Sequence, residues 1–153
     1  MKKLIFTAIF FIYSIFTVSL YADQPLSESE INYKVTKEVS EFIHDYQKYG
    51  GSNKNIDSIK TTITNAYTQK YTLKNNINTT KEEMYVKVLT EQFNPQEFAA
   101  SQKTLLDLSQ QQKSIMQKAY FDILSMLDLH DREAIVRTIH DDDHTIASGA
   151  NHD

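Results

Sequence analysis

From Ile31 the apolar residues fall at Val35, Val39, Phe42, Tyr46 and Tyr49, with spacings of four, four, three, four and three that lay them on one face of a helix. Leu26-Ser27-Glu28-Ser29-Glu30 opens that helix. Ser27 is placed to accept from the first turn while Glu30, three residues on, reaches back to the cap's N–H. Gly50-Gly51-Ser52-Asn53 ends it with residues that tolerate left-handed backbone. A weaker stripe of Ile56, Ile59, Ile63, Tyr67 and Leu73 predicts a second helix to Lys74, despite five threonines at 61, 62, 64, 68 and 72. Asn75-Asn76-Ile77-Asn78-Thr79 reads as a polar break, and Thr80-Lys81-Glu82-Glu83 as a capping box before Met84, Val88, Leu89 and Phe93.

Asn94-Pro95-Gln96-Glu97 marks the clearest boundary. Asn94 caps, Pro95 takes the first helical position, where its missing N–H costs nothing, and Glu97 completes a box. The long helix behind it carries Phe98, Gln102, Leu105, Leu108, Gln112, Ile115, Ala119, Ile123 and Met126 on one face; the two glutamines can reach across an interface. Leu127-Asp128-Leu129-His130-Asp131 breaks and restarts the helix with Asp128 as cap, and Leu129, Ile135 and Ile139 offer an apolar side. From His140 the chain is acidic and polar, and a frayed tail over 140–153 is expected. The pattern predicts an all-α domain of four or five helices over residues 23–139.

The start of the chain follows a different rule. Met1-Lys2-Lys3 is positive, Leu4–Leu20 is 17 residues without a charge, and Tyr21-Ala22 precedes polar sequence. This is the layout of a secretory signal cut after Ala22; the alternative is an uncleaved membrane anchor. Export to the periplasm is the expected location. Loss of Lys2 and Lys3 leaves 14 basic groups against 20 acidic, a net charge of −6. That acidity supplies no basic footprint for nucleic acid. There is no cysteine, which excludes disulfides and Cys-ligated zinc, so packing or dimerisation must hold the fold. Glycine and proline together number 5 of 153, against about 12% in average proteins, which disfavours a turn-rich β fold.

Glu82-Glu83-Met84, Phe93-Asn94, Gln111-Gln112-Lys113 and Leu127-Asp128-Leu129-His130-Asp131-Arg132 with Ile135 together resemble the second half of the Spy/CpxP family, over about residues 80–140. That family is named for a repeated Leu-Thr-x-x-Gln motif, the second copy following a Phe by about 34 residues; Phe93 to Leu127 is also 34. Here Asp128 stands where the family has Thr, and Asp131 where it has Gln. Leu26-Ser27-Glu28-Ser29-Glu30 is a conservative match to the first motif but lies upstream of the family position. The resemblance implies a cradle-like homodimer of long antiparallel hairpins. It also implies a periplasmic, ATP-independent chaperone or envelope-stress regulator, whose partners are unfolded or misfolded envelope proteins or the periplasmic domain of a sensor kinase. The family's client surface is basic, whereas this mature chain is acidic.

Candidate chemistry is sparse. His140-Asp141-Asp142-Asp143-His144, with His152-Asp153, places two histidines at i and i+4, a spacing that can hold a divalent metal on a helix; a solvated acidic tail is the other reading. A metal is the one cofactor the sequence suggests. His130, beside Asp128 and Asp131, is a pH-responsive candidate or an exposed first-turn residue, and His44 reads as solvated. Seven tyrosines (33, 46, 49, 67, 71, 85, 120) and Met84, Met116 and Met126 serve either core packing or an adaptable client surface. No phosphate loop, nucleophile elbow or His-Glu-x-x-His is present, so a binding protein is expected rather than an enzyme.

Overall fold

The computed structural model describes residues 24–89 and 93–149, with 141–149 as backbone alone. The described residues are all-α: helices α1 (Glu28–Lys48), α2 (Ile56–Val88), α3 (Pro95–Met126) and α4 (Leu129–Gly149), with a 3-10 turn at Asn53–Asn55. The predicted cap of α1 forms as a capping box. Glu30 N–H donates to Ser27 Oγ at 3.3 Å, and Ser27 N–H donates to Glu30 Oε2 at 2.8 Å. The predicted face is buried at Val35, Val39, Phe42 and Tyr46. The helix closes where Gly50 takes φ +88, a conformation that costs other residues more than glycine.

The break expected at 75–79 does not exist. The helix α2 runs unbroken through it for 33 residues, about 50 Å. Asn75 is not free to compete with its own backbone, because its side chain is engaged elsewhere. Leu26 N–H donates to Asn75 Oδ1 at 2.9 Å, and Asn75 Nδ2 donates to the Leu26 carbonyl at 2.7 Å. Ile77 and Asn78 are buried, so the stretch is packed rather than solvated. The threonines are absorbed in the same local way. Thr61, Thr62, Thr68, Thr72 and Thr80 each donate to the carbonyl four residues earlier, at 2.8–3.0 Å. Thr80 therefore sits mid-helix rather than at a cap.

Helices α2 and α3 lie antiparallel: Met84 shares a shallow dent with Phe98 and Ser101, and Gln112 Nε2 donates to the Lys70 carbonyl at 3.3 Å. One of the two glutamines expected to cross an interface thus does so. Helix α1 packs on the lower part of α2, and α4 packs on α1. The core at this end joins Val35, Val39, Phe42 and Tyr46 of α1 with Ile59, Ile63, Tyr67 and Tyr71 of α2, Ile123 and Leu127 from the end of α3, and Ala134 and Ile135 of α4. Phe42 stacks on Tyr120 with ring centroids 6.1 Å apart, which ties α1 to α3. At the polar edge of the α1–α2 seam Tyr71 donates to Glu38, Lys70 Nζ stands 3.8 Å from the same carboxylate, and Lys34 lies over the Tyr71 ring.

Three predicted apolar faces shift. On α3 the stripe ends on buried Leu127, while Met126 is exposed. On α4 the buried side is Ala134, Ile135 and Thr138; Leu129 is exposed. At the top of α2 Met84 is buried, but Leu89 and Phe93 face solvent. At the top of α2 the reason is that α1 ends at the level of Asn75; the 13 residues from there to Val88 extend about 20 Å further, packed on α3 among the described residues.

Candidate functional site

Two places combine unusual chemistry with position: a buried carboxylate at the base, and the apolar end of the α2–α3 arm. The base is built by three backbone features. Gly50 turns the chain, Gly51 N–H donates to the Tyr46 carbonyl at 2.9 Å, and Ser52 begins the short turn into α2. Asp128 caps α4 by accepting from Asp131 N–H at 3.1 Å, which fixes Asp131 in the first turn of that helix. Its side chain is 1% exposed and points back at the turn. Ser52 N–H donates to Asp131 Oδ1 at 2.8 Å, Ser52 Oγ to Oδ2 at 2.7 Å, and Asn55 Nδ2 to Oδ2 at 3.3 Å.

The Tyr46 hydroxyl reaches both this carboxylate and the Ser52 carbonyl, to which it donates at 3.2 Å. Burial by itself would raise the Asp131 pKa. The donors from Ser52, Tyr46 and Asn55 outweigh it and hold the carboxyl down to about 2. The same burial, with the Asp131 charge beside it, pushes Tyr46 up to about 12. Asp131 has donors on both oxygens and so accepts a proton poorly near neutral pH. Its chemistry here is that of a clasp between α4 and the α1–α2 turn.

The sequence-predicted positions fall into groups. Ser27 and Glu30 form their box, Asn94 Oδ1 accepts from Gln96 N–H at 2.9 Å, and Asp128 caps α4. Glu97 does not close a box on the Asn94 backbone; it meets the Asn94 amide at 3.4 Å and Lys87 Nζ at 3.7 Å. Leu26 is held by Asn75, and Leu127 is buried in the core. Asp131, Asp128 and Leu127 come together at the base, while Asn94 stands at the far end of α3. His130 is exposed, with Nδ1 3.7 Å from Asp131 Oδ1. The backbone of α4 stays helical through His140 to Gly149; the side chain of His144, and His152 altogether, lie outside the described residues. Among the described residues no three His, Asp or Glu side chains converge as a metal set. Sequence reasoning missed Ser52, Asn55, Tyr46 and Asn75 as polar partners. Their only local signals are a Ser and an Asn beside a Gly-Gly turn and an Asn within a helical stripe.

The aromatic set divides. Tyr46, Tyr67 and Tyr71 are buried and Tyr49 and Tyr120 pack against the core, whereas Tyr33 is exposed on α1. On the arm, Tyr85, Val86, Leu89 and Phe93 are 42–64% exposed, with Phe93 beside Met84 and Phe98. Phe93 meets Phe98 edge-on with ring centroids 5.7 Å apart, at the start of α3. Further exposed apolar side chains, Phe121, Leu129 and Val136, lie on α3 and α4. Among the described residues no helix is long and apolar enough to cross a membrane. No family model, no curated protein and no solved structure matches the chain.

Proposed function

We propose that this chain is an exported helical binding protein that holds unfolded polypeptides without ATP or restrains an envelope sensor, in the manner the Spy/CpxP resemblance implies. One observation carries the reading: the α2–α3 arm projects about 20 Å past the end of α1 and keeps Tyr85, Val86, Leu89 and Phe93 exposed at its tip. Exposed apolar side chains of this size on a narrow projection support an interaction surface. Tyr supplies apolar area with a polar end, suited to sequence-tolerant contacts. The periplasm as the working compartment rests on the signal-like Met1–Ala22, which lies outside the described residues. A homodimer belongs to the same reading, with sedimentation velocity as its test.

The functional test is suppression of aggregation. An unfolded protein diluted into near-stoichiometric residues 23–153 without ATP stays in solution if the reading holds. Light scattering that rises as fast as in buffer, at every ratio and at low and moderate salt, refutes it. A second reading, divalent-metal binding, is favoured by the continuous helical backbone of α4, which sets positions 140 and 144 one turn apart on one face. Calorimetry with zinc, nickel and copper on the chain and on a His140→Ala/His144→Ala variant separates the two; equal heats from both proteins would sink the metal reading.

A further inference from the structure

Helix α4 is seated by small side chains and by polar bonds. Over residues 129–140 its buried side chains are Asp131, Ala134, Ile135 and Thr138, whereas α1 buries Val35, Val39, Phe42 and Tyr46. The bonds that hold α4 end on groups that water can serve once the helix lifts. They are those of the Asp131 carboxylate with Ser52, Asn55 and Tyr46, and that of Arg132 Nε, which donates to the Leu124 carbonyl at 2.9 Å. The Thr138 hydroxyl is satisfied within α4, where it donates to the Ala134 carbonyl. The cap is internal as well, since Asp131 N–H donates to Asp128 Oδ1 and Arg132 N–H to the Asp128 carbonyl. Lifting α4 therefore strands no polar group in the core and does not uncap the helix. The joint lies between Leu127, which is extended at φ −100 and ψ 151 and buried in the core, and Asp128.

We infer that α4 is a displaceable lid: it pivots at Leu127–Asp128 as an intact helix while α1–α3 stay folded, and the place it leaves on α1 receives an amphipathic helix of a client polypeptide. The client rests on the binding function proposed above, to which this adds a second place besides the arm; the pivot does not depend on it. The chemistry of the occupant is that of α4, which fills the place in the closed fold. Asp131, Ala134, Ile135 and Thr138 follow one another by three, one and three residues and make one helix face. The occupant therefore carries an aspartate for the Ser52 N–H and hydroxyl, then a small and a branched apolar residue one turn on. A second small residue, in the position of Thr138, lets the two helices approach closely.

Native-state amide exchange at increasing denaturant reads the pivot without any variant. Residues 23–153 contain every element of the core described above, so that chain is the one to use. Amides of residues 131–140 are expected to exchange through an opening about tenfold or more populated than global unfolding, and with a shallower dependence on denaturant. Those of Val39, Phe42 and Ile63 should exchange through global unfolding alone. The vacated place is read by fluorescence anisotropy with a fluorescein-labelled peptide of residues 128–149, which brings its own Asp131 to Ser52. Asp131→Asn in the chain loosens the tethered helix but not the added one, and is expected to tighten peptide binding about tenfold or more. Ser52→Ala weakens both helices alike and should leave binding close to the parent's. Circular dichroism that matches the parent shows that the two variants are folded.

One shared rate and slope for α4 and the α1–α2 core overturns the lid. So does equal peptide binding by the parent and Asp131→Asn, or undiminished binding of a peptide carrying Ile135→Glu. A parent dimer that the peptide splits overturns the inference too, because it gives the place to α4 of a second copy. Saturating peptide is expected to lower the suppression of aggregation by the parent. If suppression is unchanged, the client binds elsewhere and the inference fails while the proposed function stands. If the parent suppresses no aggregation, the proposed function fails and takes the client with it, and the pivot is judged by exchange and peptide binding.

Discussion

Ser52 donates both its backbone N–H and its hydroxyl to the carboxylate of Asp131, at 2.8 and 2.7 Å, across 79 residues of sequence. The pair joins the first turn of α4 to the turn between α1 and α2, next to the apolar contact of Ala134 and Ile135 with the core. Asp131→Asn keeps the shape but loses the charge and sets an amide N–H against donors. A loss of about 2–3 kcal/mol in urea unfolding is expected, and less from Ser52→Ala, which leaves the backbone donor in place. Equal, near-zero losses for both would show that the clasp contributes nothing.

Acid should expose the same clasp. The Asp131 pKa is about 2 in the fold against 3.8 for an ordinary aspartate, so its contribution is full above about pH 4 and is lost as pH falls through 2. The shift corresponds to a loss on the order of 2 kcal/mol. Glu30, whose pKa is lowered by its bonds to Ser27, acts in the same direction on an exposed surface. Denaturant midpoints measured from pH 5 to pH 2 should fall more steeply for the parent than for Asp131→Asn. Parallel curves would remove Asp131 from the acid limb.

Two adjacent glycines should respond very differently to alanine. A Cβ at Gly51 would lie 2.2–2.5 Å from the ring of Tyr46, which is wholly buried and cannot yield. At Gly50 the nearest atom is 3.9 Å away, and the cost is that of φ +88. Gly51→Ala is expected to destabilise by about 3 kcal/mol or more through overpacking, and Gly50→Ala by about 1 kcal/mol through backbone strain. Thermal melts that rank them the other way would contradict the packing at this turn.

Asn75 tests what keeps α2 whole. Asn75→Ala removes both bonds to Leu26 and should cost about 1–2 kcal/mol, with faster amide exchange at the start of α1 and little change in α2, where alanine is the better helix former. Faster exchange throughout 75–88 would mean that the side chain holds α2 rather than α1.

What was legible follows from the range of each interaction. The Ser27–Glu30 box, the Asn94–Pro95 start and the Asp128 cap are settled within four residues, and the sequence displays both partners side by side. The face of α1 was legible because one side packs along its whole length. The run at 75–79 looked like a break because three asparagines compete for backbone when nothing else engages them; the engaging group, Leu26, is 49 residues away. Asp131 showed only as the place of a motif glutamine, since its burial depends on Ser52 and Tyr46. Leu89 and Phe93 depart from the apolar face that period predicts with Met84: both are exposed, and periodicity cannot show that α2 ends at Val88 or that α1 stops short of them.

The alkaline limb isolates Tyr46 from Asp131. Burial, then the neighbouring carboxylate, raises the Tyr46 pKa to about 12 from an ordinary value of 10, which favours the neutral phenol in the fold. The contribution is therefore full below pH 10 and is lost as pH rises through 12. Tyr71 is shifted upward for the same two causes, burial and then Glu38. Ultraviolet absorbance titration should show two tyrosines ionising only as the fold melts. Tyr46→Phe keeps the ring that fills the space beside Gly51 and removes one of the two late steps. That variant should lose about 1 kcal/mol at neutral pH, for the hydrogen bond, and should flatten the stability curve between pH 10 and pH 12. If both late steps persist in Tyr46→Phe, the phenol beside Asp131 is not the group that titrates there.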